Sequence, residues 1–95
     1  EYFYDRETIK HNTSSTEVWV KLVFKTYFYD NYQNKYEQKR VLHLVMHCED
    51  RKYKIIEYVK YYTDGTESYI DDYYEEFNTI IPESETESLY YKICK

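Results

Sequence analysis

Residues 18–29 read VWVKLVFKTYFY, and apolar side chains recur at every second position. Successive side chains of a β-strand point to opposite faces, so this period of two predicts a long, half-buried strand. The predicted core face carries Val18, Val20, Leu22, Phe24 and Phe28. The opposite face carries Trp19, Lys21, Val23, Lys25, Tyr27 and Tyr29. The rest of the fold is expected to be built around this strand.

Four further strands are predicted from the same kind of pattern and from the turn signals between them. They fall at residues 2–4, 41–48, 53–62 and 66–70. Asp64-Gly65 separates the last two, and this dipeptide is a strong signal of a β-hairpin turn. An Asn-rich loop at residues 30–35 joins the first long strand to the second. These connections favour an antiparallel sheet.

The segment that follows the last strand has a less regular pattern. Residues 71–76 fit either a loop or a helical turn. Residues 77–81 fit an extended segment that packs Phe77 and Ile80 toward the core.

The chain is expected to end in a short helix over residues 84–94. Ser84 and Glu87 have the spacing of a capping box, in which each side chain accepts a hydrogen bond from a free backbone N–H at the helix start. The apolar face of this helix carries Leu89, Tyr90, Ile93 and Cys94. Such a face predicts a helix that packs on the sheet, which gives an α+β fold.

Length and composition indicate one small domain with an unusual content of tyrosine. The chain has 95 residues, of which 15 are Tyr, and its net charge is −5. Tyr favours strands, so a β-rich domain accounts for this content, and an aromatic recognition surface is the alternative. No Lys or Arg lies between Tyr61 and Tyr91. Nucleic acid is therefore not an expected partner, because phosphate contacts need clustered Lys and Arg.

Cys48 and Cys94 are the only cysteines, and each lies at the end of a predicted apolar stripe. If the helix packs on the sheet, both side chains enter the same layer and can form a disulfide. Two free thiols or two ligands of a metal site are the alternatives, although neither a CxxC pair nor a helical HxxxH pair is present. A disulfide requires an oxidising compartment and would place the protein outside the cytoplasm.

An ordered set of motifs runs through nearly the whole chain. The motifs are Val18-Trp19-Val20-Lys21, His47-Cys48-Glu49-Asp50-Arg51, Tyr61-Tyr62 before Asp64-Gly65, Ile81-Pro82 before Ser84, and the terminal Cys94. In this order they resemble the surface-adhesin protein E family, whose members are small exported proteins or lipoproteins of Gram-negative bacteria. The resemblance implies an antiparallel sheet of about six strands, with the C-terminal helix tethered to one face by a bond between Cys48 and Cys94. Glu83 departs from the family pattern, which has Gly in a Pro-Gly-Ser turn.

The resemblance also implies a function, because the founding member of the family is a dimeric adhesin that binds host matrix and plasma proteins. We therefore expect an exported binding domain for protein partners, among them host extracellular-matrix proteins or plasminogen, and a homodimer. The expected location is the bacterial outer membrane surface, the periplasm or the medium. The chain begins at Glu1 without a methionine, which indicates a processed or trimmed product, so the absence of a signal peptide says nothing about export. Membrane contact is expected only through a lipid anchor on a removed segment. A periplasmic envelope domain with a structural or small-ligand-binding role is the first alternative, and an inhibitor of a secreted or periplasmic enzyme is the second.

Candidate functional residues are few. Trp19, Tyr27 and Tyr29 share the predicted outer strand face and are candidate binding residues, with packing under a loop or a second subunit as the alternative. Lys95 is another, because lysine-binding kringle modules capture a C-terminal Lys. His43 and His47 would lie about 13 Å apart along a strand, too far to hold one metal together. No nucleophile–base pair and no Gly-rich phosphate loop is present, so neither enzymatic activity nor a cofactor is expected.

Overall fold

The computed structural model describes residues 2–71 and 77–94, and within them seven strands form one antiparallel sheet with a helix on one face. The elements in chain order are β1 (Tyr2–Tyr4), a 3-10 helix (Arg6–Thr8), β2 (Lys10–His11), β3 (Thr16–Asp30), β4 (Lys35–His47), β5 (Lys52–Tyr62), β6 (Glu67–Asp71), β7 (Asn78–Thr79) and α1 (Glu85–Ile93). The strand order is β1-β3-β4-β5-β6, with β2 also paired to β3 and β7 also paired to β5. This arrangement confirms the predicted α+β fold.

The centre of the sheet is the hairpin of the two longest strands, β3 and β4. Their register places Val18 opposite Leu44 and Trp19 opposite His43, and it is interrupted between Val23 and Phe28. β4 begins at Lys35 rather than at the predicted residue 41. Residues 35–40 are mostly polar, so the alternation of apolar side chains gave no signal for the first part of this strand.

The core lies between one face of the sheet and α1. Leu89 and Ile93 of the helix are 1 % and 2 % exposed. They form one cluster with Val18, Val20, Leu44, Met46 and Ile80. Each fully buried aliphatic side chain contributes about 1.5–3 kcal/mol relative to an exposed one. This packing stabilises α1, which is too short to be stable alone in water.

Three aromatic residues predicted on the core face lie outside the core cluster. The Phe24 ring packs edge to face on the Phe28 ring, at 4.7 Å between centroids. Phe28 is 60 % exposed, because it pairs with Glu37 in a part of the hairpin that the core cluster does not reach. The ring of Phe77 lies 4.2 Å from the ring of His47, on the face opposite the core. Ile80 is buried as predicted. A loop or helical turn was predicted at residues 71–76. Asp71 is the last residue of β6, and residues 72–76 lie outside the described residues.

The start of α1 differs in one detail from the predicted capping box. Ser84 Oγ accepts a hydrogen bond from the backbone N–H of Glu87 at 3.1 Å, as expected. The Glu87 carboxylate accepts from the backbone N–H of Glu83 at 2.9 Å, one residue earlier than the box requires. Glu83 has a φ of 64°, a left-handed conformation that Gly adopts most readily. This conformation explains why Gly suits that position in the family pattern.

A disulfide between Cys48 and Cys94 ties the end of α1 to the end of β4, with 5.5 Å between the Cα atoms. It confirms the predicted pairing and excludes the free-thiol and metal-ligand alternatives. Two polar contacts support the same junction: the Tyr90 hydroxyl donates to the Cys48 carbonyl oxygen at 2.6 Å, and Arg51 Nη2 contacts Glu87 Oε2 at 2.7 Å. The helix is therefore held to the sheet by burial, by a covalent bond and by these contacts.

Candidate binding site

The end of the β3–β4 hairpin, residues 27–36, carries a cluster of exposed aromatic side chains; we call it the hairpin arm. The exposed aromatic residues are Tyr27 (52 %), Phe28 (60 %), Tyr29 (49 %), Tyr32 (97 %) and Tyr36 (52 %). The rings of Tyr29 and Tyr36 meet edge to face at 5.1 Å between centroids. Single exposed aromatic residues are ordinary, but several within ten residues of one hairpin form a surface suited to a partner.

Hydrogen bonds from Asp30 fix the turn of the hairpin arm. One carboxylate oxygen accepts from the backbone N–H groups of Tyr32 at 3.0 Å and Gln33 at 3.3 Å. The other accepts from the Tyr62 hydroxyl at 2.7 Å and from Lys60 Nζ at 3.3 Å. These bonds, that of Tyr62 first, lower the pKa of Asp30 to about 2. The turn is thus anchored to β5 and presents its aromatic rings on a defined backbone.

An ion pair between Glu37 and Arg40 lies in β4, directly after the hairpin arm. Glu37 is 2 % exposed, and its two carboxylate oxygens accept from Arg40 Nε at 2.8 Å and Nη2 at 2.9 Å. This two-pronged hydrogen bond raises the pKa of Arg40 above its usual value. A buried carboxylate needs such a partner, because an unpaired charge away from water is strongly destabilising.

Trp19 belongs to a different cluster, on the outer face, which we define as the sheet face opposite α1. Its ring stacks on the His43 ring at 4.6 Å and an interplanar angle of 15°. His43 Nε2 contacts Glu17 Oε1 at 3.0 Å, and Nδ1 contacts Glu57 Oε2 at 2.8 Å.

The two carboxylates of this cluster are held in their ionised form. The pKa of Glu57 is lowered by a hydrogen bond from the Tyr69 hydroxyl, at 2.6 Å, and then by His43. The pKa of Glu17 is lowered by a hydrogen bond from the Asn12 amide, at 2.7 Å, and to a lesser extent by His43. The cluster therefore fixes the orientation of the Trp19 ring through its stacking partner.

The predicted binding residues do not form one surface. Tyr27 and Tyr29 lie in the hairpin arm, whereas Trp19 lies at least eight residues, or roughly 25 Å, farther down β3. Lys95 lies outside the described residues. The prediction missed Phe28, Tyr32 and Tyr36 as members of the arm, although the density of aromatic residues between positions 27 and 36 was visible in the sequence.

Two concave regions accompany these surfaces. A cleft of about 580 Å³ on the outer face, which we call the edge cleft, is lined by Phe3, Tyr4, Asp5, Arg6, Trp19, Val20, Lys21 and Val41. A smaller apolar cavity of about 200 Å³ lies between the first turn of α1 and the sheet, next to Leu22, Leu42 and Leu89. Sites for small molecules usually enclose about 300–1,000 Å³. The edge cleft falls in this range, and the cavity under α1 does not.

Residues 2–71 and 77–94 contain no group of three or more His, Cys, Asp or Glu side chains placed to hold a metal ion. Over the same residues, no helix has the length and apolar character needed to cross a membrane. Comparison with known protein families gives a match to the family described as surface-adhesin protein E, over residues 1–95. No curated protein matches the chain.

Proposed function

Because this chain belongs to the surface-adhesin protein E family, we propose that it is an exported bacterial adhesin that binds protein partners through the hairpin arm. The proposed partners are host extracellular-matrix proteins or plasminogen, and the proposed location is the bacterial outer membrane surface. A role as a binding protein needs no catalytic group, and we propose that the protein is not an enzyme.

The observation that carries this proposal is the cluster of five exposed aromatic rings in the hairpin arm. Tyr supplies a large apolar contact area with a polar tip and few rotatable bonds, so that its immobilisation in an interface costs little entropy. The Asp30 hydrogen bonds order the turn before a partner arrives. Such preorganisation raises affinity because less conformational freedom is lost on binding.

The alternative, a periplasmic domain that binds a small ligand, has two candidate sites, of which the edge cleft has a suitable volume of about 580 Å³. The other is the apolar cavity under α1. Its volume of about 200 Å³ is below the usual range for such sites. It also lies inside the core, where Leu89 is needed for the stability of α1. The hairpin arm is therefore better supported as a binding site than the cavity under α1.

The proposal is tested by binding of the oxidised protein to an immobilised panel of matrix proteins and plasminogen. The variant Tyr32→Ser, Tyr36→Ser is expected to lose about tenfold or more in affinity, because aromatic residues dominate the binding energy of interfaces. Ile81→Ser is the matched control, since Ile81 is 68 % exposed but lies outside the hairpin arm. Absence of binding across the panel, or equal binding by the arm variant and wild type, would contradict the proposal.

The proposed location and the role of Lys95 have separate tests. A surface protein is expected to be degraded by protease added to intact cells, whereas a periplasmic protein is protected. Deletion of Lys95 is expected to weaken plasminogen binding without affecting the binding of matrix proteins if a lysine-binding kringle module captures this side chain. Equal plasminogen binding after the deletion would remove Lys95 from the site.

A further inference from the structure

The edge cleft, whose lining includes the only tryptophan of the chain, has an aromatic floor. Phe3 of β1 lies opposite Lys21 of β3 in the sheet register, and Trp19 is two residues along the same strand, on the same face. Phe3 is 49 % exposed. The Trp19 ring is fixed by its stacking on His43 at 4.6 Å. The Trp19 part of the floor can therefore receive a flat apolar side chain without first rearranging.

Two cations that form no salt bridge within residues 2–71 and 77–94 border this floor. Lys21 Nζ lies 5.3 Å from the centroid of the Phe3 ring, and Arg6 projects from the exposed 3-10 helix. Neither forms a salt bridge with any described residue. Asp5, the acidic residue of the lining, already accepts a hydrogen bond from the backbone N–H of Glu7 at 3.0 Å. The cleft is thus locally cationic in a chain of net charge −5, which favours an anionic ligand.

The position of the cleft at the edge of the sheet indicates an extended ligand. β1 is the first strand in the sheet order, and within the described residues only one of its edges is paired, with β3. A free strand edge can accept a peptide by adding it as a further strand, with alternate side chains entering neighbouring pockets. Long polyanions fit less well, because they are held by rows of Lys and Arg.

We propose that the edge cleft binds an extended peptide segment that carries an acidic residue two positions before and two positions after an aromatic residue, so that all three side chains point to the same face. The aromatic side chain of the segment packs on Phe3 and Trp19, and its carboxylates contact Arg6 and Lys21. The peptide backbone pairs with the free edge of β1. This site is separate from the hairpin arm, so that one molecule can make two independent contacts.

The test uses the whole oxidised protein and a pool of hexapeptides that have Asp or Glu at positions 1 and 5, Phe at position 3 and small polar residues elsewhere. Phe does not fluoresce in the tryptophan band. Fluorescence of Trp19, the single tryptophan, reports binding at the cleft itself. The acidic pool is expected to change this fluorescence saturably, with an affinity that falls as salt is added. A pool with Lys and Arg in place of the acids is the ligand control and is expected to have no effect.

Variants then assign the contacts. Arg6→Gln with Lys21→Gln is expected to raise the Kd for the acidic pool about tenfold or more, because both charge-assisted contacts are lost. Lys25→Gln, an exposed Lys on the same strand, is the matched control and should bind like wild type. Tyr32→Ser in the hairpin arm should also bind like wild type, which separates this site from the proposed adhesive surface.

Three results would overturn the proposal. The first is the absence of a saturable fluorescence change with the acidic pool, while circular dichroism shows a folded protein. The second is an unchanged Kd in the double variant. The third is tighter binding of a heparin oligosaccharide at the same two cations, which would assign the cleft to polyanions rather than to peptides.

Discussion

Removal of the bond between Cys48 and Cys94 tests how the small core is stabilised. The two cysteines are separated by 46 residues in sequence, and closing a loop of this length removes about 4 kcal/mol of conformational entropy from the unfolded chain. Domains of this size have net stabilities of about 5–15 kcal/mol. The double variant Cys48→Ala, Cys94→Ala is therefore expected to lose a large share of its free energy of unfolding.

The same variant is expected to remain folded at low temperature. Leu89 and Ile93 stay buried, and each contributes about 1.5–3 kcal/mol. The contact between Arg51 and Glu87 at 2.7 Å also remains. For a domain of about 100 residues, 1 kcal/mol corresponds to about 4–8 °C in Tm, so a loss of 4 kcal/mol corresponds to a fall of about 15–30 °C.

Thermal and urea unfolding followed by far-UV circular dichroism measure this loss. The oxidised wild type, the reduced wild type and the double variant are compared, and the last two should agree. Ser88→Ala on the exposed face of α1 is the control and should change stability by less than about 0.5 kcal/mol. A loss below about 1 kcal/mol in the double variant would refute the reasoning, because the unfolded chain would then not be constrained by the bond.

Three further predictions concern the buried contacts. The pKa of Asp30 is about 2 in the folded protein, against an ordinary value of 3.8. Its ionised form therefore stabilises the fold above about pH 4, and this stabilisation is lost as the pH falls toward 2. Asp30→Asn should therefore lower the urea midpoint at neutral pH and reduce its decrease in acid; parallel acid profiles would contradict this. Arg40→Met should cost about 3–5 kcal/mol because it leaves Glu37 buried and unpaired, whereas the double variant Arg40→Met, Glu37→Leu should recover most of that loss in urea unfolding. If the single and double variants were equally unstable, the unpaired charge would not be the cause. Leu89→Ala should cost about 2–5 kcal/mol in the same assay, and a cost near zero would mean that α1 does not depend on its core contacts.

The part of the fold that follows from regular alternation was predictable. Val18 and Val20 are buried and Trp19 lies on the other face, as a period of two requires. Ser84 caps the helix at the predicted position, and Leu89 and Ile93 face the core. In these segments local pattern and tertiary packing agree, so the sequence alone is informative.

The remaining features depend on contacts between distant segments. Phe28 is an even number of positions from Val18 and Val20, so alternation places it on the core face. Nothing in its own strand shows that the core cluster ends before it. In the first part of β4, Glu37 pairs with residues of both β3 and β5. Pairing between strands produces no alternation of apolar side chains along β4 itself, so the sequence did not show it. The cluster around His43 combines Glu17 and Glu57, which lie on different strands and carry no local motif. Candidate binding residues were therefore only partly predictable.

The separation of the hairpin arm from the core bears on how this protein can change over evolutionary time. Tyr27, Tyr32 and Tyr36 are about half or more exposed, and none of them belongs to the core cluster. Surface substitutions of this kind usually change stability by less than about 0.5 kcal/mol, provided that Asp30 keeps its anchoring role. New specificities can thus be explored on the arm while the scaffold that carries it stays folded, an advantage for any molecule whose target is under selection to escape it.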